Sequence, residues 1–323
     1  MREHVFNWCF IGTGTLAKQV AEEITASGRH RIASVYSRRP EAAVRFAEQF
    51  GGSAYEEAAP AILNADAVYV VTPHPSHYLY VKQAIELGKP VLCEKPFTVS
   101  GAETKELFDL ARAKKIYIVE GMWTWFAPVA LKVKEWLDSG EAGDVENVVT
   151  KYLVNVLNYA PRLTDPALAG GAILDSGVYP ITYLYRLFGK PTGIRCSGVI
   201  KNGIDLSDEI DLTFAGGQTH HIFLSIGDDR GEEYIRITGT KADIFADHFH
   251  YADKAELIAK DGKILRTFEE RTTLLNEFDL VVKEIRAGLT ESAWIPPQAT
   301  IDVMEIMDEC RRQIGLVYPF ERG

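Results

Sequence analysis

Residues 5–24 read VFNWCFIGTGTLAKQVAEEI, three kinds of sequence in a row. The nearly all-apolar run 5–11 has the length and aromatic content of a strand buried on both faces. Gly12-Thr13-Gly14-Thr15-Leu16-Ala17 follows, a G-x-G-x-x-A turn. The remainder, closed by Gly28, carries apolar residues at helical spacing. Glycines at such a turn let the backbone approach a pyrophosphate closely. The helix that follows offers unpaired N–H groups and a favourable dipole. Glycine-rich turns are common, so the motif points to a dinucleotide only when it opens a β-α-β array.

That array follows. Strands are expected at 31–37, 66–72, 90–94 and 116–121, with helices at 40–50, 74–89 and 99–115. Repeated β-α-β with short helices predicts a doubly wound parallel sheet, a dinucleotide-binding Rossmann domain over residues 1–121. After a helix at about 126–139 the chain becomes strand-rich, in segments 145–156, 194–200, 209–227, 233–240 and 255–268. Ala215-Gly216-Gly217 and Asp261-Gly262 read as hairpin turns. Helices return at about 272–288 and 298–315. This order predicts a second, α+β domain over residues 122–323, with a large, mainly antiparallel open sheet and helices on one face. The helix at 298–315 can pack back on the first domain.

With 323 residues, two domains are the better expectation. The chain carries 45 acids against 35 bases, a formal charge of −10, and no segment concentrates Lys and Arg. A nucleic-acid partner is not expected, since phosphate backbones require a basic stripe. No apolar run approaches the roughly 20 residues that span a bilayer, so no membrane association is expected. MREHVFNWCFIG has neither the h-region nor the cleavage site of an export leader, and a cytoplasmic location is expected. Cys9, Cys93, Cys196 and Cys310 are scattered, without C-x-x-C spacing or histidines at ligand distance. They read as structural thiols, and no metal site is expected.

The end of the second strand selects the cofactor. An acid there would bind the ribose 2′-hydroxyl of NAD. This chain has Tyr36-Ser37-Arg38-Arg39, and no acid from Ile32 to Pro40. A hydroxyl and a guanidinium suit a 2′-phosphate, so Ser37 and Arg38 favour NADP(H) over NAD(H). The plain alternative is a pair of solvated turn arginines.

Two further stretches carry a resemblance. Thr72-Pro73-His74-Pro75-Ser76-His77 follows one strand and Glu94-Lys95-Pro96-Phe97 the next. A T-P-x-x-x-H segment and a strand ending in E-K-P, behind a G-x-G-x-x-A turn, resemble the glucose–fructose oxidoreductase/inositol dehydrogenase (Gfo/Idh/MocA) family. Trp123-Thr124-Trp125-Phe126, Arg162-Leu163-Thr164-Asp165-Pro166, Gly170-Gly171 and Asp175-x-x-x-Tyr179 resemble its tyrosine branch. That branch includes dimeric dihydrodiol dehydrogenase, NADP-dependent D-xylose dehydrogenase and glucose–fructose oxidoreductase. The likeness runs to Tyr318-Pro319-Phe320. The inositol dehydrogenase branch has histidine where this chain has Tyr179. Periplasmic glucose–fructose oxidoreductases carry an export signal and an N-terminal arm that are not seen here.

The resemblance implies a catalytic set. Lys95, at the C-terminal edge of a parallel strand where such sheets bind ligands, would hydrogen-bond a substrate oxygen and favour ionisation of a neighbouring phenol. Tyr179, at a cleft between domains, would exchange a proton with the substrate as hydride moves to or from the nicotinamide. Asp175 would bind a second hydroxyl or orient the tyrosine; a dipole-favoured acid at a helix start is its plain alternative. Gly12, Thr13, Gly14, Leu16, Ala17, Thr72, Pro73, His77, Glu94 and Lys95 would line the dinucleotide. Trp123 would wall the substrate. Arg162 would bind substrate or, as the favoured reading, pair with Asp165 to brace its loop. His220, His221, His248 and His250 read as sheet-surface residues.

The expected activity is NADP(H)-dependent hydride transfer to or from a sugar, polyol, cyclic diol or dicarbonyl. The competing reading is a catalytically idle dinucleotide-binding regulator; retention of both Lys95 and Tyr179 speaks against it. A third is other nicotinamide chemistry, such as redox-assisted glycoside cleavage. An open antiparallel face requires a covering partner, and in related proteins it forms the dimer interface, so a homodimer through the C-terminal sheet is expected.

Overall fold

The computed structural model describes residues 5–321; the first four residues of the stretch read for an export leader lie outside them. The chain folds into two units, 1–123 with 274–301, and 124–273 with 302–323. A single cut after residue 121 does not produce this division. Residues 274–301, placed in the second domain on sequence order alone, belong to the first unit.

In the first unit, β1 (Phe6–Ile11) leads into α1 (Thr15–Ala26), β2 (His30–Tyr36) and α2 (Pro40–Phe50). β3 (Ser53–Tyr55) and α3 (Ala58–Leu63) come next, then β4 (Ala67–Val70), α4 (His77–Glu86), β5 (Val91–Glu94), α5 (Gly101–Lys114) and β6 (Ile118–Gly121). The six strands are parallel, in the order β3-β2-β1-β4-β5-β6. The order reverses between β1 and β4, the position at which a doubly wound sheet opens a crevice at its carboxyl edge. β4, β5 and β6 are buried at every residue, which is why their sequences run apolar without alternation. β3 and α3 had no sequence signal: three exposed or half-buried residues carry no period.

The helix α8 (Leu275–Arg286) joins this unit through its apolar face. Phe278, fully buried, sits edge-on to Trp8 at 4.9 Å and to Tyr69 at 5.0 Å. Full burial of such a ring contributes about 1.5–3 kcal/mol. Arg29 forks onto the Asp279 carboxylate at 3.0 and 2.7 Å, and the Tyr117 hydroxyl donates to Glu284 at 2.6 Å. Those partners lie some 170 to 250 positions apart in sequence, so periodicity alone could not place the helix.

The second unit begins with α6 (Pro128–Asp138) and β7 (Val145–Asn155), and after a π-turn at Ile173–Gly177 enters α7 (Val178–Phe188). β8 (Gly193–Lys201), β9 (Ile204–Thr213), β10 (Thr219–Ser225), β11 (Gly227–Gly239), β12 (Ala242–Asp247), β13 (Lys254–Ala259) and β14 (Ile264–Glu269) complete it. α9 (Pro297–Ile314) begins in the first unit and ends in the second. The sheet order is β14-β13-β12-β11-β7-β10-β9-β8. Every neighbour pair is antiparallel except β7 with β10. The turns at 215–217 and 261–262 join β9 to β10 and β13 to β14, as their glycines predict. β12 was not read from the sequence. β8 is a largely exposed edge strand, with Val199 and Ile200 open to solvent.

Candidate active site

The turn after β1 is built by close approach. Gly12 has φ +116°, and a Cβ there would lie 2.4 Å from the Val71 carbonyl oxygen. Only glycine lets the turn pass beside β4. Gly14 differs, for a Cβ on it would meet nothing within 4 Å. It is the N-cap of α1, makes no side-chain cap, and no acid stands in the first turn, Thr15-Leu16-Ala17. The first N–H groups of α1 therefore have no side-chain cap and no acid beside them, and the space over Gly14 is open. Ala17 is buried where the helix meets the sheet, while Thr13 and Leu16 are half-buried. Across the switch point, the Thr72 hydroxyl is buried with no hydrogen-bond partner among the described residues. These residues fit a dinucleotide: a turn flanked by two glycines, a helix N-terminus without a side-chain cap, and an orphaned hydroxyl.

Ser37 and Arg38 follow β2, with Arg38 and Arg39 exposed and the Ser37 hydroxyl accepting from Arg39 N at 3.3 Å. His77, at the start of α4, is fully buried. Its two ring nitrogens face the carbonyls of Thr72 at 2.7 Å and Pro96 at 3.0 Å. It ties the Thr72-Pro73 segment to the turn after Lys95, a bracing geometry beyond a role in lining the ribose. Glu94 is buried at the end of β5 and accepts from the Tyr69 hydroxyl at 2.5 Å.

Lys95 follows directly, and beside it the sequence reading missed a residue. Glu120 on β6 is 2% exposed. Its carboxylate accepts from Phe97 N at 3.0 Å and from the Thr300 hydroxyl at 3.2 Å. Burial pushes this acid up to about 7, assisted by the Glu94 charge; the two hydrogen bonds and the Lys95 ammonium oppose the rise. An acid in the middle of an apolar strand, IYIVEG, was the available signal. Glu277 on α8 is a second buried acid, with neither carboxylate oxygen partnered among the described residues. Burial and the charges of Glu94 and Glu23 raise it well above the usual range.

The second unit holds the other predicted group. Asp175 lies inside the π-turn, and Tyr179 in the first turn of α7, 7% exposed. A π-turn in place of a regular helical start is frequent at functional positions. Two glycines seat it. Gly171, at φ +122°, lies so close to Asp205 that a Cβ would fall 1.9 Å from its Oδ1. The other Asp205 oxygen accepts from Ile173 N at 2.6 Å. Gly170 abuts the Leu163 carbonyl, where a Cβ would lie at 2.5 Å. The loop carrying Arg162 is thereby pressed against the turn carrying Asp175. Arg162 Nη2 donates to Asp175 Oδ1 at 2.8 Å. This corrects the expected Arg162–Asp165 pair: Asp165 instead accepts from Ala167 N at 2.9 Å and caps its own short helix. Trp123 is half-buried, whereas Met122 and Trp125 beside it are in the core.

Tyr179 stands in an aromatic cluster. Its ring centroid lies 4.9 Å from that of His250 and 6.2 Å from that of Tyr152. Burial, then the neighbouring Tyr179, Glu233 and Asp175, pushes the Tyr152 phenol well above 10. His250 thus departs from the surface reading: its side chain is 14% exposed and bonds to the buried Glu233. His220 departs too, being buried between Phe188 and Phe214 and accepting from Val148 N at 3.2 Å. His221 and His248 are partly exposed, paired to Asp211 and Glu233. No group of three or more His, Cys, Asp or Glu among the described residues is arranged to hold a metal ion. No helix among them is long and apolar enough to cross a membrane.

Comparison with known proteins agrees with both units. Residues 6–121 match the family model of an oxidoreductase family with an NAD-binding Rossmann fold, and residues 130–245 match the C-terminal domain model of the same family. The chain is 28% identical to an NADP(+) D-xylose 1-dehydrogenase of Hypocrea jecorina, over 98% of this chain and 94% of that one. It is 28% identical to the mouse trans-1,2-dihydrobenzene-1,2-diol dehydrogenase, over 98% of each. A scyllo-inositol 2-dehydrogenase (NADP(+)) of Bacillus subtilis matches at 25% over 99% of this chain and 100% of that one. Among solved structures, a 3-ketoreductase from Actinomadura kijaniata, in complex with NADP and TDP-benzene, superposes with a TM-score of 0.86. At 20% identity, covering 96% of this chain and 98% of that one, it attests the fold. On the joint match of its two units, the chain belongs to the Gfo/Idh/MocA oxidoreductase family.

Proposed function

We infer that this oxidoreductase is an NADP(H)-dependent dehydrogenase or reductase of a hydroxyl or carbonyl group on a sugar, polyol, cyclic diol or dicarbonyl. Tyr179 exchanges the proton and Lys95 assists. The observation that carries the reading is the seat built for Asp175 and Tyr179, a π-turn held by Gly170, Gly171 and Asp205 with Arg162 bonded to Asp175. A protein that only sensed a dinucleotide would have no use for it. The named activities of the relatives support the substrate class and the cofactor.

Gly12, Thr13, Gly14 and the first turn of α1 hold the pyrophosphate. Ser37 and Arg38 hold the 2′-phosphate, and Thr72, Pro73, His77 and Glu94 hold the nicotinamide end. The bound nicotinamide supplies the hydride acceptor or donor. The protein's share is orientation and proton traffic. Tyr179 Oη takes the proton from the substrate hydroxyl in oxidation and returns it in reduction. Lys95 stabilises negative charge as it develops on the same oxygen. Asp175, oriented by Arg162, accepts a hydrogen bond from a second hydroxyl, which favours vicinal diols and sugars over simple alcohols. Trp123 supplies an apolar wall. The open face of the second sheet, bordered by β8, pairs with a second copy. Light scattering on the eluting protein should give twice the 36.0 kDa of one chain.

The deciding test is tryptophan-fluorescence titration with NADPH and NADH, followed by an NADP+ reduction screen over aldoses, polyols and dihydrodiols. Parent, Tyr179→Phe and Lys95→Ala proteins are run together. Turnover by the parent, abolished in both variants with NADPH binding kept, is the expected result. Full turnover by Tyr179→Phe would overturn the assignment.

A further inference from the structure

We propose that Glu233 and His250 form a carboxylate–imidazole pair that positions the Tyr179 phenol and relays its proton, by way of Tyr152. The proposal rests on the reading of Tyr179 as the proton-exchanging residue and extends it to groups that no motif pointed to.

The geometry starts at Glu233, which is 4% exposed on β11 and lies opposite Tyr152 of β7 in the antiparallel register. The turn after β12 folds onto this one residue. His248 N donates to the Glu233 carbonyl at 2.6 Å, and the Glu233 carboxylate bonds to the Nδ1 of both His250 and His248, the latter at 3.4 Å. His248 takes φ +47° to make the turn, an uncommon conformation for a residue with a side chain. A carboxylate can only accept, so its short bond to His250 Nδ1 fixes the proton on that nitrogen and leaves Nε2 as the acceptor. Nε2 faces the Tyr152 hydroxyl at 3.3 Å, and the imidazole stacks on the Tyr152 ring at 4.9 Å and 23°. Tyr179 meets the same imidazole, also at 4.9 Å, with 6.2 Å between the two phenol rings. The order Glu233–His250–Tyr152, with Tyr179 touching both rings, has the logic of a catalytic carboxylate–histidine pair. The acid sets the tautomer and stabilises the imidazolium when a proton arrives.

In oxidation, the substrate O–H bond breaks as an Oη–H bond forms on the Tyr179 phenolate, which becomes the phenol. The phenol then passes one proton toward Nε2 through the Tyr152 hydroxyl, whose own proton moves on as it takes the incoming one. His250 becomes imidazolium against the Glu233 carboxylate and later releases that proton to solvent. Reduction runs the same transfers backward. No electrons move in the relay. The titratable groups facing His250 are Tyr152 on β7, Tyr179 on α7, Glu233 on β11, and His248 and Tyr251 in its own turn. Asp175, with Arg162 bonded to it, acts on the cluster through Tyr152.

The test compares parent, His250→Gln, Glu233→Gln and Tyr152→Phe proteins for kcat against pH, for NADPH affinity, and for the imidazole tautomer by 15N-histidine NMR. His250→Gln keeps a hydrogen bond to Glu233 but carries no proton. It should lower kcat by about tenfold or more, remove the histidine limb from the pH profile and leave NADPH affinity within about twofold. Added imidazole should restore turnover to His250→Gly. On the Tyr179→Phe background, His250→Gln should cost nothing further. In the parent the NMR spectrum should show the His250 imidazole, assigned by its loss in His250→Gln, locked with its proton on Nδ1, and Glu233→Gln should release it. If His250→Gln matches the parent across pH while Tyr179→Phe is inactive, the relay is wrong and the assignment of Tyr179 stands. If Tyr179→Phe turns over like the parent, the functional reading fails first. Should His250→Gln not fold, Tyr152→Phe, which keeps the ring, decides by the same kinetic criteria.

Discussion

Replacing Glu120 by glutamine should remove a pH dependence from the stability of the first unit. The carboxylate is 2% exposed, and burial, opposed by its hydrogen bonds to Thr300 and Phe97, raises its pKa from the ordinary 4.5 to about 7. The folded protein therefore holds this proton more tightly than the unfolded chain does. Between pH 4.5 and 7 the folded state binds more protons, so stability falls as pH rises through that window. Above 7 both states are ionised and the whole cost stands. A rise of that size corresponds to about 3 kcal/mol, and a side chain this deeply buried needs no discount for solvent screening. Glutamine preserves both hydrogen bonds, its oxygen accepting from Phe97 N and its amide donating to the Thr300 hydroxyl, but it cannot ionise. Urea unfolding followed by tryptophan fluorescence, at about pH 5 and about pH 8, measures the difference. Relative to the parent, E120Q should gain about 2–3 kcal/mol more at the higher pH. An equal difference at both pH values would show that Glu120 ionises as it does in water, and the burial argument would fail.

Three other outcomes follow from the site geometry. Gly12→Ala places a Cβ 2.4 Å from the Val71 oxygen at a φ that alanine resists; it should cost about 1–3 kcal/mol in stability and at least tenfold in NADPH affinity, read by melting and fluorescence titration. Arg38→Ala should weaken NADPH binding by about tenfold and leave NADH binding unchanged, since only one of the two carries a 2′-phosphate; an equal loss for both would reassign the arginine to a solvated turn. Arg162→Ala removes a guanidinium that is 47% exposed, so its melting point should shift by the equivalent of less than about 1 kcal/mol. Its kcat/KM for a polyol should nevertheless fall more than tenfold, because Asp175 loses the partner that orients it.

The legible parts of the fold were those whose physics is local. The run 5–24 contains a strand, a glycine turn and a helix start within twenty residues, and the reasons for Gly12 and Gly14 act on the backbone that carries them. The apolar runs of β4 and β5, and the glycines closing the β9–β10 and β13–β14 hairpins, are local in the same sense. What was missed depends on partners far away in sequence. Arg162 lay three residues from Asp165, and that proximity suggested an ion pair. The structure gives the guanidinium to Asp175, because Gly170 and Gly171 fold the intervening segment back on itself. The partners of His250 and His220 lie on strands up to 98 residues away, so one buried and one partly buried imidazole read as surface ones.

The same contrast separates the work of the two units. The pyrophosphate seat proposed for the first unit is made mostly of backbone: a helix terminus, a glycine-flanked turn and the carboxyl edge of a sheet. It can serve one cofactor class whatever the substrate. The chemistry proposed for the second unit is made of side chains that several strands and loops bring together: Tyr152 from β7, Tyr179 from α7, Glu233 from β11, His250 from the turn after β12 and Arg162 from its loop. Glu233 also braces a neighbour, its carboxylate accepting from His250 N at 3.4 Å, so its exchange disturbs the turn that carries His250. Substrate preference should therefore be altered most readily by substitution at Trp123 and Arg162, which are less buried than the parts they adjoin. Changes at Gly170, Gly171 or Asp205 should instead cost the fold itself, because there the backbone and a buried carboxylate already fill the space a side chain would take.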